Sequence, residues 1–392
     1  MKTNVYIVKC ESYEEAGEKL EVLLGLMGGM GRFAKPGEKI TLKANLLTAA
    51  APEKAVSTHP AIVAAVGAMT KKEGAIPLIA DAPGSGSRYT EAALKKLYET
   101  CGMDSAAKQA GIDLNMDTGS EKVSFPQGLQ MKRMEVITAV TRADGVFNLC
   151  KMKTHMLMHM TGAVKNNFGV IPGLSKMMLH GKLFKKERFA DMLLDLALYV
   201  SPRLSIMDAV MAMEGEGPGV SGTPRHVGLL LASESPLAID VVAGEIMGLP
   251  HEQNPILLAA ERRGLTPHGM EGVNVVGEDL ASLVISDYKF PATVKIPGAT
   301  ARDSAGGNNA VADNATRSDT TADNIPGQPA GLFPVVSVER CIGCGICVEA
   351  CPQKTINFVT KQDGKRAVVD PKNCIRCYCC HELCPHAAID IV

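Results

Sequence analysis

Tryptophan is missing from this 392-residue chain and aromatic residues make up only 4% of it, too few for the stacking platforms of single-strand nucleic-acid binders. Neither sign of charge dominates: 41 Lys and Arg stand against 42 Asp and Glu, a formal net charge of −1. That balance argues against an electrostatic nucleic-acid binder or a polybasic membrane-surface protein. No apolar run approaches the roughly 18 residues that cross a bilayer. The opening MKTNVYIVKC has neither the apolar core of a leader nor a small-residue cleavage site. These absences lead to the expectation of a soluble, cytoplasmic chain with no integral membrane segment and no nucleic-acid partner. The length implies two or three domains.

Cysteine is abundant and uneven. Nine of the 12 cysteines lie between Cys341 and Cys384, the others being Cys10, Cys101 and Cys150. In a reducing compartment such a cluster binds metal rather than forming disulfides. Cys341, Cys344, Cys347 and Cys351 followed by Pro352 form one C-x2-C-x2-C-x3-C-P run; Cys374, Cys377, Cys380 and Cys384 followed by Pro385 form a second. Every cysteine and the proline recur after 33 residues, as do the apolar pairs Ile356/Ile389 and Phe358/Ile391. The segment is an internal duplication. Structural zinc sites close with two C-x2-C pairs and do not explain four cysteines and a trailing proline, twice. The pattern resembles the bacterial two-[4Fe–4S] ferredoxin. In that resemblance the fourth cysteine of each run completes the other cluster. Cys341, Cys344, Cys347 and Cys384 would hold one [4Fe–4S] cluster, and Cys374, Cys377, Cys380 and Cys351 the second. Two clusters imply electron transfer, and in so small a unit they would also serve as the core. Cys379 has Ile346 as its counterpart and reads as a spare buried thiol.

Upstream, strand-like segments (Val5–Val8, Lys39–Leu46, Pro77–Ala80, Gly145–Leu149, Leu204–Met207, Val227–Leu231, Val273–Val276) alternate with helix-like ones (Tyr13–Leu24, His59–Lys72, Tyr89–Thr100, Phe189–Tyr199, Pro236–Met247, Pro255–Arg263). The alternation predicts an α/β domain with a mostly parallel sheet and flanking helices. Periodicity vanishes from about Gly298 to Gly331, where small polar residues leave nothing to bury. The predicted organisation is residues 1–299 as the α/β body, 300–330 as a flexible linker, and 331–392 as a small α+β ferredoxin-like head.

Polar residues gather just past four predicted strands. Lys43 and Asn45 close one; Asp81 opens the loop after the next. Asn148, Lys151, Lys153 and His155 follow a third, leading on to Lys165, Asn166 and Asn167; Asp208 and Glu214 follow the fourth. Ligands of open α/β sheets bind outside the carboxyl ends of strands, so these groups predict one shared site for an anionic or oxygen-rich ligand. Asp81, Asp208 and Glu214 are its candidate proton-handling groups. His155 and His159 are four apart and could share a helical face, as zinc pairs do, but no glutamate follows the first in the zincin manner, and packing is the simpler role. Gly28-Gly29-Met30-Gly31 follows a helix and reads as a C-cap rather than a dinucleotide loop. The loop Asp81–Ser87 could cradle an anion. His59, before Pro60, reads as a helix-terminus residue, and His180 could serve in acid–base work. Ser235-Pro236 reads as the start of a helix, and Asp240, one turn into it, as a dipole-stabilised acid that could also point to the site.

As a set these residues resemble the DUF362 family, a domain of unknown function often fused to a ferredoxin module. The resemblance is carried by Lys43-Ala-Asn45, His59-Pro60, Asp81-Ala-Pro-Gly84, Asn148 with Lys151, Lys153 and His155, and Thr161-Gly-Ala-Val-Lys165-Asn166-Asn167-Phe-Gly169. Met213-Glu214-Gly-Glu-Gly217-Pro218 and Ser235-Pro236-Leu-Ala-Ile-Asp240 complete it. It implies a shared polar site in a redox setting and brings no established reaction. Three functions are compatible: an iron–sulfur oxidoreductase acting on a small-molecule substrate, with room for a flavin or other small redox cofactor; a ferredoxin-like carrier that serves a redox partner protein through a non-catalytic docking body; and an isomerase- or ligase-like body with structural clusters. Oligomeric state is not legible in the sequence.

Overall fold

A computed structural model describes residues 2–84, 89–295, 332–361 and 364–392. The body opens with β1 (Thr3–Lys9), α1 (Ala16–Leu26), β2 (Lys39–Lys43), α2 (Pro60–Lys72), β3 (Ile76–Ala80), α3 (Glu91–Thr100), α4 (Met103–Ala110) and β4 (Asp113–Leu114). It continues with the hairpin β5 (Ser120–Ser124) and β6 (Arg133–Ile137), the short α5 (Thr138–Thr141), then β7 (Gly145–His155), β8 (His159–Thr161), α6 (Ala163–Asn166), α7 (Gly173–Lys182) and α8 (Lys186–Val200). β9 (Leu204–Gly215), β10 (Gly222–Ser233), α9 (Pro236–Met247), α10 (Pro255–Arg262) and β11 (Val273–Gly277) close it.

Nine of these strands form one sheet in the order β11-β1-β10-β9-β7-β2-β3-β4, with β8 paired to β7. Five neighbouring pairs are parallel, while β1–β10, β10–β9 and β7–β8 are antiparallel. Successive side chains reach opposite faces of a strand. Val8, Leu149 and Ile206 therefore pack with Leu20 and Leu24 of α1 and Ile62 of α2, whereas Ile7, Cys150 and Met207 pack with Ile239, Val242 and Ile246 of α9. Helices cover both faces, as a sheet buried on both sides requires.

β2, β3, β7 and β9 run in parallel, so their carboxyl ends share one edge of the sheet. The register sets Lys43 beside both Ala80 and Asn148, and Lys151 beside Asp208. β7 does not end at Leu149 as the apolar run predicts; it continues to His155, buried along its whole length. Lys151, Lys153 and His155 thus sit on a strand, and a register shift between Lys151 and Lys153 breaks the pairing with β9. His155 and His159 do not share a helical face: they pair across the β7–β8 hairpin. β9 likewise runs on through Asp208 and Glu214. The first helix starts at Ala16 rather than Tyr13, whose hydroxyl is engaged by Asp208 at 3.0 Å. The glycines after α1 do cap it, the Gly29 N–H reaching Leu24 O at 2.8 Å with a left-handed φ of 88°. The predicted linker and Ser85–Ser87 of the Asp81 loop lie outside the described residues.

The head pairs β12 (Pro334–Val336) with β15 (Ile389–Ile391) and β13 (Ile356–Lys361) with β14 (Gly364–Val369), with α11 (Ile346–Ala350) and α12 (Cys379–Glu382) between them. The duplication is visible in the backbone. Three equivalent pairs, Gly343/Arg376, Gly345/Tyr378 and Lys354/Ala387, all have positive φ. The first copy meets two of these turns with glycine, which adopts them without strain; the second places Arg and Tyr there. The fold is a mostly parallel mixed sheet with flanking helices, followed by a small strand-and-helix head.

Candidate functional site

The head's thiols fall into two groups. One cavity is lined by Cys341, Cys344, Cys347 and Cys384, another by Cys351, Cys374, Cys377 and Cys380. This is the crossed partition that the ferredoxin resemblance implies. The equivalent cysteines that cross over also receive equivalent hydrogen bonds: Thr355 N–H donates to Cys351 Sγ at 3.3 Å and Ala388 N–H to Cys384 Sγ at 3.2 Å. Backbone donors aimed at sulfur support thiolate charge. Burial pushes Cys347 and Cys374 up to about 11, so binding must draw off their protons. Four motif thiols to each cavity, with Cys379 a fifth thiol in the second, and donors on sulfur fit a cubane cluster, which when bound accepts or gives one electron. Cys379 is fully buried beside the second group.

In the body, the predicted polar residues divide between two places. Lys151 and Asp208 form an ion pair of 2.7 Å, both fully buried. Asp208 also accepts from the Tyr13 hydroxyl and, at 2.9 Å, from the backbone N–H of His59, the N-cap of α2. Tyr13 stacks on the His59 ring at 3.5 Å, and burial pushes His59 down to about 4. This cluster is internally satisfied. Lys153 donates to the carbonyls of Val56 and Pro218 and so ties two loops together; burial, reinforced by Lys165 and Lys151, pushes it well below the usual lysine range. Glu214 pairs with Arg225 at 3.4 Å and accepts from Lys289 N–H.

The second place contains a small cavity whose lining includes Asn45, Asp81, Thr161, Lys165, Lys176 and Glu382. Lys43 lies beneath it, 2.8 Å from Asp81 and fully buried. Burial pushes Lys43 down and Asp81 up, and each opposes the shift in the other. Further bonds favour the charged forms: Lys43 donates to Ala44 O and Asn166 Oδ1, and Asp81 accepts from Leu46 N–H at 2.7 Å. A Cβ at Gly169 would collide with Asp81 and Lys43, so glycine is required there. Asp240 accepts from the N–H groups of Ala163 and Val164 and holds α6 in place; burial pushes it up to about 7. Asn167 donates to Ala163 O and packs beneath the site rather than lining it.

Lys176 and Glu382 were not singled out by sequence reasoning. Lys176 donates to Ala82 O and Pro83 O at 2.6 and 2.7 Å, and burial pushes it down to about 7. Its place one helical turn before His180, which also lines the cavity, was the available signal. Glu382 belongs to the head, between Cys380 and Cys384. Its Oε1 lies 3.2 Å from His155 Nε2. His155 Nδ1 accepts from Leu157 and Met158 N–H, which leaves the ring proton on Nε2, facing Glu382. Burial pushes Glu382 up to about 7, with Lys165 opposing. His381 Nε2 adds a 3.0 Å contact to Glu216 O, Tyr378 joins the core under α8 and α10, and Pro352 abuts Gly181. The head is seated on the body at the cavity's rim.

A duplicated set of thiols on a ferredoxin-type head, seated over a buried polar cavity in an α/β body, defines an iron–sulfur electron-transfer protein. Residues 40–245 match the family described as a domain of unknown function, DUF362, and residues 340–388 match the 4Fe-4S dicluster domain. A thylakoid-associated protein of Synechocystis sp. is 35% identical over 294 residues, 74% of this chain and 88% of that protein. The chain belongs to the DUF362 family. Among solved structures, lactate racemase apoprotein from Thermoanaerobacterium thermosaccharolyticum has a TM-score of 0.39 at 13% identity, over 63% of this chain and 57% of that one. A Thermotoga maritima protein has a TM-score of 0.34 at 12% identity, over 56% and 55% of the two chains. Among the described residues no helix is long and apolar enough to cross a membrane.

Proposed function

We propose that this protein is an iron–sulfur oxidoreductase that carries two [4Fe–4S] clusters and exchanges electrons with a small anionic or oxygen-rich ligand held in the body's cavity. One observation carries the reading: Glu382, set between two cluster cysteines, is also a wall of that cavity. A ligand there would lie against the element that holds the second cluster. Lys165, half-buried and without a hydrogen-bond partner among the described residues, would bind the anion, and the Lys43–Asp81 pair would fix the floor on which Asn45 and Asn166 stand. The other thiol group includes Cys344, which is exposed, and would meet a redox partner protein. The reading places the chain in a reducing, cytoplasmic compartment. The name of the Synechocystis relative adds an internal membrane surface as a place where such a partner would reside.

The test is anaerobic purification of the full chain, with iron and sulfide counts and mass spectrometry of whatever is released. Eight irons with a bound small molecule, a flavin or another, support the proposal. Eight irons with an empty cavity that no ligand fills would shift the function to a ferredoxin-like carrier with a docking body. Zinc in place of iron would contradict both.

A further inference from the structure

The cavity's polar atoms are not all satisfied, and the direction of the unmet bonds can be worked out. Lys43 Nζ donates to Asn166 Oδ1 at 3.2 Å, Asn166 Nδ2 donates to Asn148 Oδ1 at 2.7 Å, and Asn148 Nδ2 donates to Ala163 O at 2.8 Å. An ammonium can only donate and a carbonyl can only accept. Both ends of this relay are therefore fixed, and so is the orientation of every amide within it. Asn45 joins through its own Nδ2, 2.9 Å from Asn166 Oδ1. Turning the Asn45 amide over would set two oxygens against each other. Asn45 Oδ1 is thus a committed acceptor, and it is buried with no partner among the described residues. Four further lining groups, Thr161 Oγ1, His180 Nδ1, Asp81 Oδ1 and Glu382 Oε1, are also buried with no hydrogen-bond partner among the described residues, the two carboxylate oxygens standing against Lys43 and His155 respectively. Buried polar groups are normally paired, because leaving one unmade costs its full desolvation.

Two demands fall on one ligand. Lys165, with no hydrogen-bond partner among the described residues, and Lys176, with one N–H left after its two carbonyls, ask for an anionic oxygen. Asn45 asks for an O–H or N–H. We infer that the cavity selects a small oxyanion that brings its own hydrogen-bond donor, a hydroxycarboxylate or a hydrogenphosphate, and that Asn45 is the residue that reads the donor. This rests on the proposal that the cavity holds the redox ligand, and it narrows the class: an anion that offers only acceptors leaves Asn45 Oδ1 unpaired.

Matched pairs of anions test the inference on the cluster-loaded full chain. Calorimetry compares glycolate with acetate, and phosphate with sulfate, at pH 7. In at least one pair the donor-bearing member should bind about 10-fold or more tightly, and which pair does so tells a carboxylate site from a phosphate site. Asn45→Leu should bring that ratio close to one, with iron content and melting temperature checking that the variant is folded. Equal affinity within both pairs in the unmodified protein would overturn the donor requirement and leave the cavity as an anion site. No binding of any of the four at millimolar concentration would overturn both the inference and the ligand-holding role of the cavity.

Discussion

Two buried lysine–aspartate pairs stand at the carboxyl ends of the same sheet, with nearly equal lengths: Lys151–Asp208 at 2.7 Å and Lys43–Asp81 at 2.8 Å. From the sequence they look alike, each a lysine and an acid just past predicted strands. Their surroundings separate them. Asp208 is surrounded by donors from Lys151, Tyr13 and the His59 backbone, and its aromatic neighbours stack tightly. Asp81 borders a cavity that also holds atoms of Asn45, Thr161 and His180 with no partner among the described residues. The first pair closes its own bonding and belongs to stability; the second leaves valences over, and on the proposed function these await a ligand. Unmet bonding capacity around a buried ion pair, not the pair itself, marks function.

The largest effect should come from breaking the closed pair. Asp208→Asn leaves Lys151 buried without its counter-charge and should cost about 3–5 kcal/mol of stability, measured by denaturant unfolding. Lys165→Met should do the converse, with melting temperature unchanged and anion affinity reduced about 10–100-fold, the range of a lost charged hydrogen bond. Tyr13→Phe removes the hydroxyl that donates to Asp208 and accepts from Met211 N–H. It should cost about 1–3 kcal/mol and leave anion affinity as it was. The smallest effect is one of pH. Lys176 is pushed down to about 7 by burial, so its charge, present below that value, is lost as pH rises through it. Anion affinity should fall over the same range, and Lys176→Met should flatten the profile. A loss of anion binding in the Tyr13 variant, or of stability in the Lys165 variant, would erase the distinction between the two pairs.

The head was legible because its chemistry is local and repeated. Ligand spacing, the trailing prolines and the pairs Ile356/Ile389 and Phe358/Ile391 are all set by two turns of the same kind, and Ile356 and Ile389 are both buried in the head's core. In the body the alternation of strands and helices was enough to read a mostly parallel sheet. It was not enough to place side chains. β7 carries Lys151, Lys153 and His155 inside a buried strand, where charge and β-propensity point to a loop; pairing with β9 and the ties to Asp208 and Glu382 override that preference. The apparent single site divided because residues on one strand face opposite sides of the sheet, a fact that requires register. Glu382 was out of reach for another reason: it lies in a different domain, and only the seating of the head brings it to the cavity.

The central claim is that the head and the cavity work as one unit. It is tested most directly by a redox titration of the anaerobic, cluster-loaded chain, followed by electron paramagnetic resonance, with and without an anion shown by calorimetry to be bound. The account predicts that one cluster signal changes in shape or midpoint on binding while the other does not, and that Lys165→Met abolishes the change. Two cluster signals indifferent to a saturating, bound anion would contradict it.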